Sequence, residues 1–395
     1  FIRVIPITLV GSIALVLMYF PYIEKVVPES FMTSVRTFLD PIVGVTFGLL
    51  AVYVTMSVGY QYAQQKKTCT FYYPLVAILM FFIQLPFNKE VNGETVGGII
   101  PLDYLGAKGM FVGLLFGFLA SWLMEKYEKV LPSIKLPDSV PPNVIKSFMV
   151  IVPISAVLFT GLVIRACFSA LGYDSVHSFI YESLQTPLVY LGTSAPAFYF
   201  AEFMMQVLWF FGLHGDATVM SVLGPVWDTA SVANYEAFAA GKELPYTFNS
   251  IFHESFVING FVGCIVACLI VAKSQRARAV SKAAAVPAVF NISEPLVFGL
   301  PIVANFKLLI PWLLCRLINI TVFASFITIG LVSAPTGVRV PWTTPQILSG
   351  FITTGSIMGA VVQIVALVIN VIVWIPFIKN LDNDYLAEES KTENN

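Results

Sequence analysis

Apolar residues fall in long runs separated by short polar breaks, a pattern that predicts membrane-crossing helices. No charged residue interrupts 41–65, 147–164, 255–272, 317–338 or 340–378, and about 20 apolar residues suffice for one crossing. The last run is too long for a single crossing. It divides into a Pro/Thr/Gly-rich part, 340–355, and a smoother part, 356–378, which predicts a broken hairpin followed by a helix. Regular spans are expected at 2–22, 41–62, 71–87, 109–124 and 147–169. Leu131–Pro142 carries four prolines and reads as a linker. Beyond residue 172 the regularity is lost. Residues 175–191 mix His177, Glu182 and Gln185 with Phe179, Ile180, Leu184 and Leu188, which suits an amphipathic helix lying along the membrane interface. A short apolar run then ends at Trp209–Asp216, followed by a loop-like stretch to Tyr246, a helix at 251–272, a basic loop at 273–282 and a span at 307–333. Breaks concentrated in one half point to a transporter's binding region.

Composition agrees with this pattern. Hydrophobic residues make up 57% of the chain and charged ones 11%, and the mean hydropathy is +0.82. The expected fold class is an all-α polytopic membrane protein. A net charge of −1 gives no sign of a nucleic-acid partner. Charge placement sets orientation instead. Lys66 and Lys67, then Lys126, Lys129, Lys135 and Lys146, then Lys273, Arg276, Arg278 and Lys282, and finally Lys379 mark expected cytoplasmic loops, with the C-terminus inside. The charge-balanced segment 88–108 is expected outside. The polar tail, 382–395, is expected to be disordered, and an N-terminal piece is expected before Phe1. Five scattered cysteines suggest no disulfide framework. Cys264 and Cys268 share a helix face but lack further ligands, so they read as packing residues. No metal-ligand spacing is present in the sequence, and no cofactor is expected.

One carboxylate stands out, in Asn291-Ile-Ser-Glu294-Pro-Leu-Val-Phe-Gly-Leu-Pro301. A charge at bilayer depth is costly unless it faces protein or a water-filled cavity, and prolines there imply broken helix, so the segment reads as a polar re-entrant site. Glu294 can accept hydrogen bonds from sugar hydroxyls or take a proton from one that attacks an electrophile. The plainer reading is a Glu that caps the broken helix or pairs with a Lys or Arg. Asn291 and Ser293 can serve a ligand or the unwound backbone. His214 sits between Gly212 and Gly215, with Asp216 beyond, where backbone can approach a ligand and an imidazole can donate, accept or relay a proton. Trp209 and Trp342 flank the two breaks, and indole faces suit the C–H faces of sugar rings as well as membrane interfaces. His253 and Glu254, after Asn249, read at least as well as helix-start residues.

Phe211-Gly-Leu-His214-Gly-Asp216 and Asn291-Ile-Ser-Glu294-Pro, joined by the basic segment Ala272-Lys-Ser-Gln-Arg-Ala-Arg278, resemble the membrane IIC component of the bacterial phosphoenolpyruvate-dependent sugar phosphotransferase system. The likeness is to the lactose, cellobiose and diacetylchitobiose branch, diacetylchitobiose first. Tyr104-Leu-Gly-Ala-Lys-Gly109, Gly241-Lys-Glu-Leu-Pro245 and Val340-Pro-Trp342-Thr-Thr-Pro345 extend it over nearly the whole chain. The resemblance implies a homodimer in the bacterial cytoplasmic membrane with about ten transmembrane helices and two re-entrant hairpins. Residues 1–171 would be mainly scaffold and dimerisation helices, 172–378 the substrate-binding region, and 379–395 a cytoplasmic tail. It further implies that a disaccharide receives phosphate on its 6-hydroxyl from a separate phosphorylated IIB subunit, with Glu294 and His214 at that hydroxyl and Trp209 and Trp342 lining the sugar. The chain would then take part in phosphoryl transfer only together with IIB. A different reading is an ion-coupled sugar symporter with Glu294 as its proton site.

Overall fold

The computed structural model describes residues 4–20, 22–91, 94–131, 145 and 148–393. Most of the expected linker, with Lys135 and Lys146, lies outside the described residues. Among the described residues, six helical stretches are long and apolar enough to cross a membrane: Glu29–Lys66, Ala107–Val130, Ile151–Ala170, Ser250–Val271, Phe306–Thr328 and Ile357–Lys391. The chain forms two compact units, one of residues up to Gly11 with Asp40–Leu188, the other of Ser12–Leu39 with Val189 onward. Helices α1 (Ile5–Met18) and α2 (Glu29–Thr46) each pass from one unit into the other.

The first unit is built on α3 (Leu50–Lys66), α4 (Tyr72–Ile83), α5 (Met110–Val130) and α6 (Ile151–Ala170). Small residues let these helices approach closely, as expected where lipid supplies no hydrophobic drive. A Cβ on Gly59 would lie 2.9 Å from Pro74 Cα, and one on Gly113 2.9 Å from the Ala51 carbonyl. Polar groups close the helix ends. Lys67 adopts a left-handed conformation (φ 55°) that lets Thr68 N–H return to the Ala63 carbonyl. Arg165 donates to the carbonyls of Ile83 (2.6 Å) and Leu85 (2.5 Å) at the end of α4, a cation where the helix dipole favours one. Between α4 and α5 lies a small antiparallel hairpin, β1 (Asn88–Val91) with β2 (Glu94–Gly97), an addition to the expected all-helical plan.

The expected amphipathic segment is helical, as α7 (Val176–Ile180), a wide turn at Tyr181–Gln185, and α8 (Thr186–Gly192). Two of its polar residues, His177 and Gln185, face the protein, while Glu182 is exposed. His177 is fully buried against the Phe81 and Tyr104 rings, and Gln185 donates to the Ala107 carbonyl at 3.0 Å. Leu184, Leu188 and Leu191 are exposed.

The second unit adds α9 (Ala195–Phe210), α10 (Gly215–Ala239), α11 (Ser250–Val271), α12 (Gln275–Val289), α13 (Glu294–Gly299), α14 (Phe306–Thr328), α15 (Leu348–Thr354) and α16 (Ile357–Glu393). Three sequence expectations change here. The loop-like stretch after Asp216 is the 25-residue α10; its interior polar residues are satisfied by neighbours, Asn234 by the Tyr246 and Pro335 carbonyls and Ser231 by Ser250. The basic segment at 273–282 is largely the first half of α12, capped by Ser274. The polar tail continues α16 to Glu393 instead of unravelling.

Helix α11 is irregular, with a wide turn at His253–Val257 and a tight one at Ile258–Phe261. Carboxamides replace the lost backbone order: Gln363 and Asn259 donate to the Ser255 carbonyl, and Asn319 donates to the Val257 carbonyl and to Asn259 Oδ1. Unsatisfied backbone in an apolar setting would cost several kcal/mol per group, so these side chains are structural necessities. Cys264 and Cys268 pack with Phe261, Cys315 and Trp374 in the core beside them.

Candidate functional site

Helix α9 brings Glu202 and Trp209 to the start of α10, where His214 is the N-cap residue and Asp216 lies in the first turn. Arg316 enters from α14 and His253 from the wide turn of α11. Together they form a buried charge cluster. Arg316 is bidentate to Asp216 (2.8 and 3.0 Å) and also donates to Glu202 at 3.0 Å. His253 Nδ1 lies 2.5 Å from the other Glu202 oxygen, and its Nε2 3.6 Å from Asp216. Trp209 donates its indole N–H to Asp216 at 2.6 Å. Burial alone would raise the Asp216 carboxyl, but the Arg316 charge and hydrogen bonds outweigh it and hold the group well below the usual carboxylate range.

A second cluster lies one residue along the chain. Arg339 donates to Asp228 at 2.7 Å and to both Glu254 oxygens at 2.8 and 3.2 Å. Burial alone would lower the Arg339 pKa; the two carboxylates more than offset this and raise it. The wide turn in α11 therefore sends His253 to the carboxylates around Arg316 and Glu254 to Arg339 itself. The helix-start role foreseen for these two belongs to Asn249, whose side chain accepts from Phe252 N–H at 3.0 Å.

His214 and Glu294 contrast with these paired groups. His214 is exposed, and its Nδ1 accepts from Ala217 N–H at 3.1 Å, which makes Nε2 the N–H donor of the ring, with no partner among the described residues. Its ring lies 4.4 Å from that of Trp209. Trp209 is buried, and its N–H is committed to Asp216. Glu294 is exposed at the start of α13, and among the described residues its carboxylate has no hydrogen-bond or ion-pair partner. Ser293 precedes it, offering its carbonyl to Leu296 and Val297 N–H but no side-chain cap.

Asn291 connects the two broken segments. It is buried, holds φ at 61°, and spends both side-chain N–H groups on the carbonyls of Trp342 (2.7 Å) and Thr344 (3.0 Å). Trp342 itself is 51% exposed, so its indole face is open. Asn291, Ala304 and Ile347 are three of the five described non-glycine residues with positive φ, and such strain gathers where function over-determines the backbone. The His214 turn joins the end of the Glu294 segment through Ala304 N–H, which donates to the Phe210 carbonyl at 2.8 Å. The structure thus brings the two motifs together through backbone, while no hydrogen bond or ion pair links the Glu294 and His214 side chains among the described residues.

Sequence reading missed Glu202, Asp228, Arg316 and Arg339. The signal was there: Glu202 and Arg316 are charges in the interior of apolar helices, the same criterion that selected Glu294.

Residues 1–315 match the family model described as Phosphotransferase system, EIIC. The chain is 36% identical to an oligo-beta-mannoside-specific EIIC component of Bacillus subtilis, an alignment covering 99% of this chain and 90% of that one. It is 33% identical to a lichenan permease IIC component of the same organism (99% and 90% covered) and 33% identical to a cellobiose-specific EIIC component of Geobacillus stearothermophilus (97% and 88% covered). Its structure superposes with a TM-score of 0.92 on the transporter ChbC, the IIC component from the N,N'-diacetylchitobiose-specific phosphotransferase system, at 29% identity over 98% of this chain and 93% of that one.

Proposed function

The chain belongs to the phosphotransferase system EIIC family, and from that premise we propose that it carries a β-linked disaccharide across the bacterial cytoplasmic membrane and presents it to a phosphorylated IIB subunit. The observation that carries the reading is the state of Glu294. The carboxylates Glu202, Asp216, Asp228 and Glu254 each meet an arginine, whereas Glu294, at the start of α13, stands exposed and without a partner among the described residues. A carboxylate left free where its neighbours are neutralised is available to a hydroxyl.

In this reading the sugar 6-oxygen attacks phosphorus on the IIB phosphocysteine, the O–P bond forms as the S–P bond breaks, and Glu294 receives the hydroxyl proton. His214 donates from Nε2 to the same region of the sugar, positioned by its Nδ1 contact and by Trp209 beneath it. The open face of Trp342 stacks on a sugar ring. Asn291 shapes the site by fixing the Trp342 segment, and Ser293 borders it. The two arginine clusters hold α9, α10, α11, α14 and the segment of Arg339 in place around it. Product phosphate adds charge that opposes return.

On the larger scale, residues 1–171 act mainly as scaffold and dimerisation helices. Residues 172–378 carry the sugar through two re-entrant hairpins in a fold of about ten crossings, and the C-terminal tail is cytoplasmic. For the substrate, names among relatives at 33–36% identity favour cellobiose-like sugars and β-mannosides, while the structural neighbour favours diacetylchitobiose. We place cellobiose first, diacetylchitobiose second and lactose third. An N-acetyl carbonyl needs a donor, and the amide N–H groups of Asn291 are already engaged.

Counterflow of labelled cellobiose into proteoliposomes, without ion gradients or IIB, tests this. Saturable exchange that unlabelled cellobiose and mannobiose abolish is expected. Uptake that requires a proton gradient and proceeds without IIB would instead establish the symporter.

A further inference from the structure

Helix α12 leads into the Glu294 segment, and its first turn is held from outside by the far end of the chain. Asp382 of α16 accepts from Lys273 N–H (2.7 Å), Ser274 N–H (3.0 Å) and the Ser274 hydroxyl (2.5 Å). Two turns further on, Glu389 accepts from Gln275 N–H (3.3 Å) and Arg276 N–H (3.2 Å). Ser274, the N-cap, with Gln275 and Arg276 after it, supplies N-terminal amides that a helix cannot satisfy itself, the usual place for such carboxylates, and Lys273 lies just before them. Asp382, Tyr385 and Glu389 lie three and four residues apart and so share one helix face. Between the two carboxylates the Arg276 guanidinium sits 4.5 Å from the centre of the Tyr385 ring.

The contact is not a surface ornament. Asp382 is 3% exposed and Tyr385 5%, and Trp374, Ile378 and Leu381 of α16 share one buried cluster with Ala284 and Ala288 of α12 and Leu296 and Val297 of α13. The 15-residue α12 is thus anchored at its first turn by Asp382 and Glu389, and beyond its last turn by Asn291. Glu294 follows three residues after that second anchor.

We infer that Asp382, supported by Glu389, is a positioning residue for Glu294: the C-terminal extension of α16 is a clamp that fixes where α12 delivers the reacting carboxylate. Its effect on turnover rests on the permease reading above; the mechanical coupling does not. A helix transmits a displaced end as a rigid body, and misplacement of a reacting group by about 1 Å can cost on the order of 100-fold in rate.

The test uses the full chain in proteoliposomes, with Asp382→Ala and the milder Asp382→Asn. Hydrogen exchange is the primary readout. The account expects exchange to rise about tenfold not only at 273–277 but also across 288–299, with α3–α5 unchanged. A rise confined to 273–277, or none, overturns the clamp. IIB-dependent sugar phosphorylation is then expected to fall about 10- to 100-fold while counterflow affinity stays within about threefold, with Asp382→Asn intermediate. Equal losses in affinity and phosphorylation would mark Asp382 as a stability residue and also overturn the proposal. Should no variant, the wild type included, phosphorylate sugar, the permease reading fails, and the exchange pattern alone still decides the clamp.

Discussion

The two units use polar residues in opposite ways. In the first, the notable polar links close helix ends or join side chains near them: Arg165 on the α4 carbonyls, and Tyr62 and Tyr73 on Glu125 and Glu128 near the end of α5. In the second, buried charges pair with one another, as in the Arg316 and Arg339 clusters, and carboxamides around Asn319 hold irregular backbone together. The lesson is about cost. Regular helices meeting through small residues need little polar support, whereas irregular ones demand it, and each buried charge then depends on its partner.

Four substitutions probe that contrast, in falling order of effect. Arg316→Leu removes the guanidinium that Glu202 and Asp216 share and leaves the two carboxylates with only His253 and the Trp209 N–H, and should cost about 3–5 kcal/mol, read as a large loss of thermal stability in detergent; retention of wild-type stability would show that the cluster is not structural. Gly59→Val places a branched side chain against Pro74 and Tyr73 backbone atoms at 2.9 Å. It should cost about 1–3 kcal/mol through overpacking, lowering the folded fraction without altering sugar affinity. Asn291→Ala removes two hydrogen bonds from the Trp342 segment, about 1–2 kcal/mol, and should appear as roughly 5- to 30-fold weaker sugar binding in counterflow rather than as unfolding. The Lys307–Asp384 pair is about half exposed on both sides, so Lys307→Ala should change stability by less than about 1 kcal/mol, a difference erased at high salt.

The fold was legible where period and length were clean. The spans at α5, α6, α11 and α14 follow from long, predominantly apolar runs. α10 was not legible, because Gly224, Pro225, Asp228 and Asn234 read as loop residues until their tertiary partners are known. The tail was misread as disordered for a related reason: its acidic residues serve the first turn of α12, a contact no local pattern announces. Within the site, Glu294 and His214 stood out by their sequence setting. Glu202 and Arg316 meet the same criterion, a charge within an apolar helix, but their pairing with each other across about a hundred residues is not written in any local pattern.

The most direct test of the central claim is IIB-dependent phosphorylation of cellobiose by wild type and Glu294→Gln in the same proteoliposomes, with counterflow measured alongside. The account predicts a loss of about 10²- to 10⁴-fold in phosphorylation, with the mutant protein folded and correctly inserted. Wild-type phosphorylation by Glu294→Gln would contradict it.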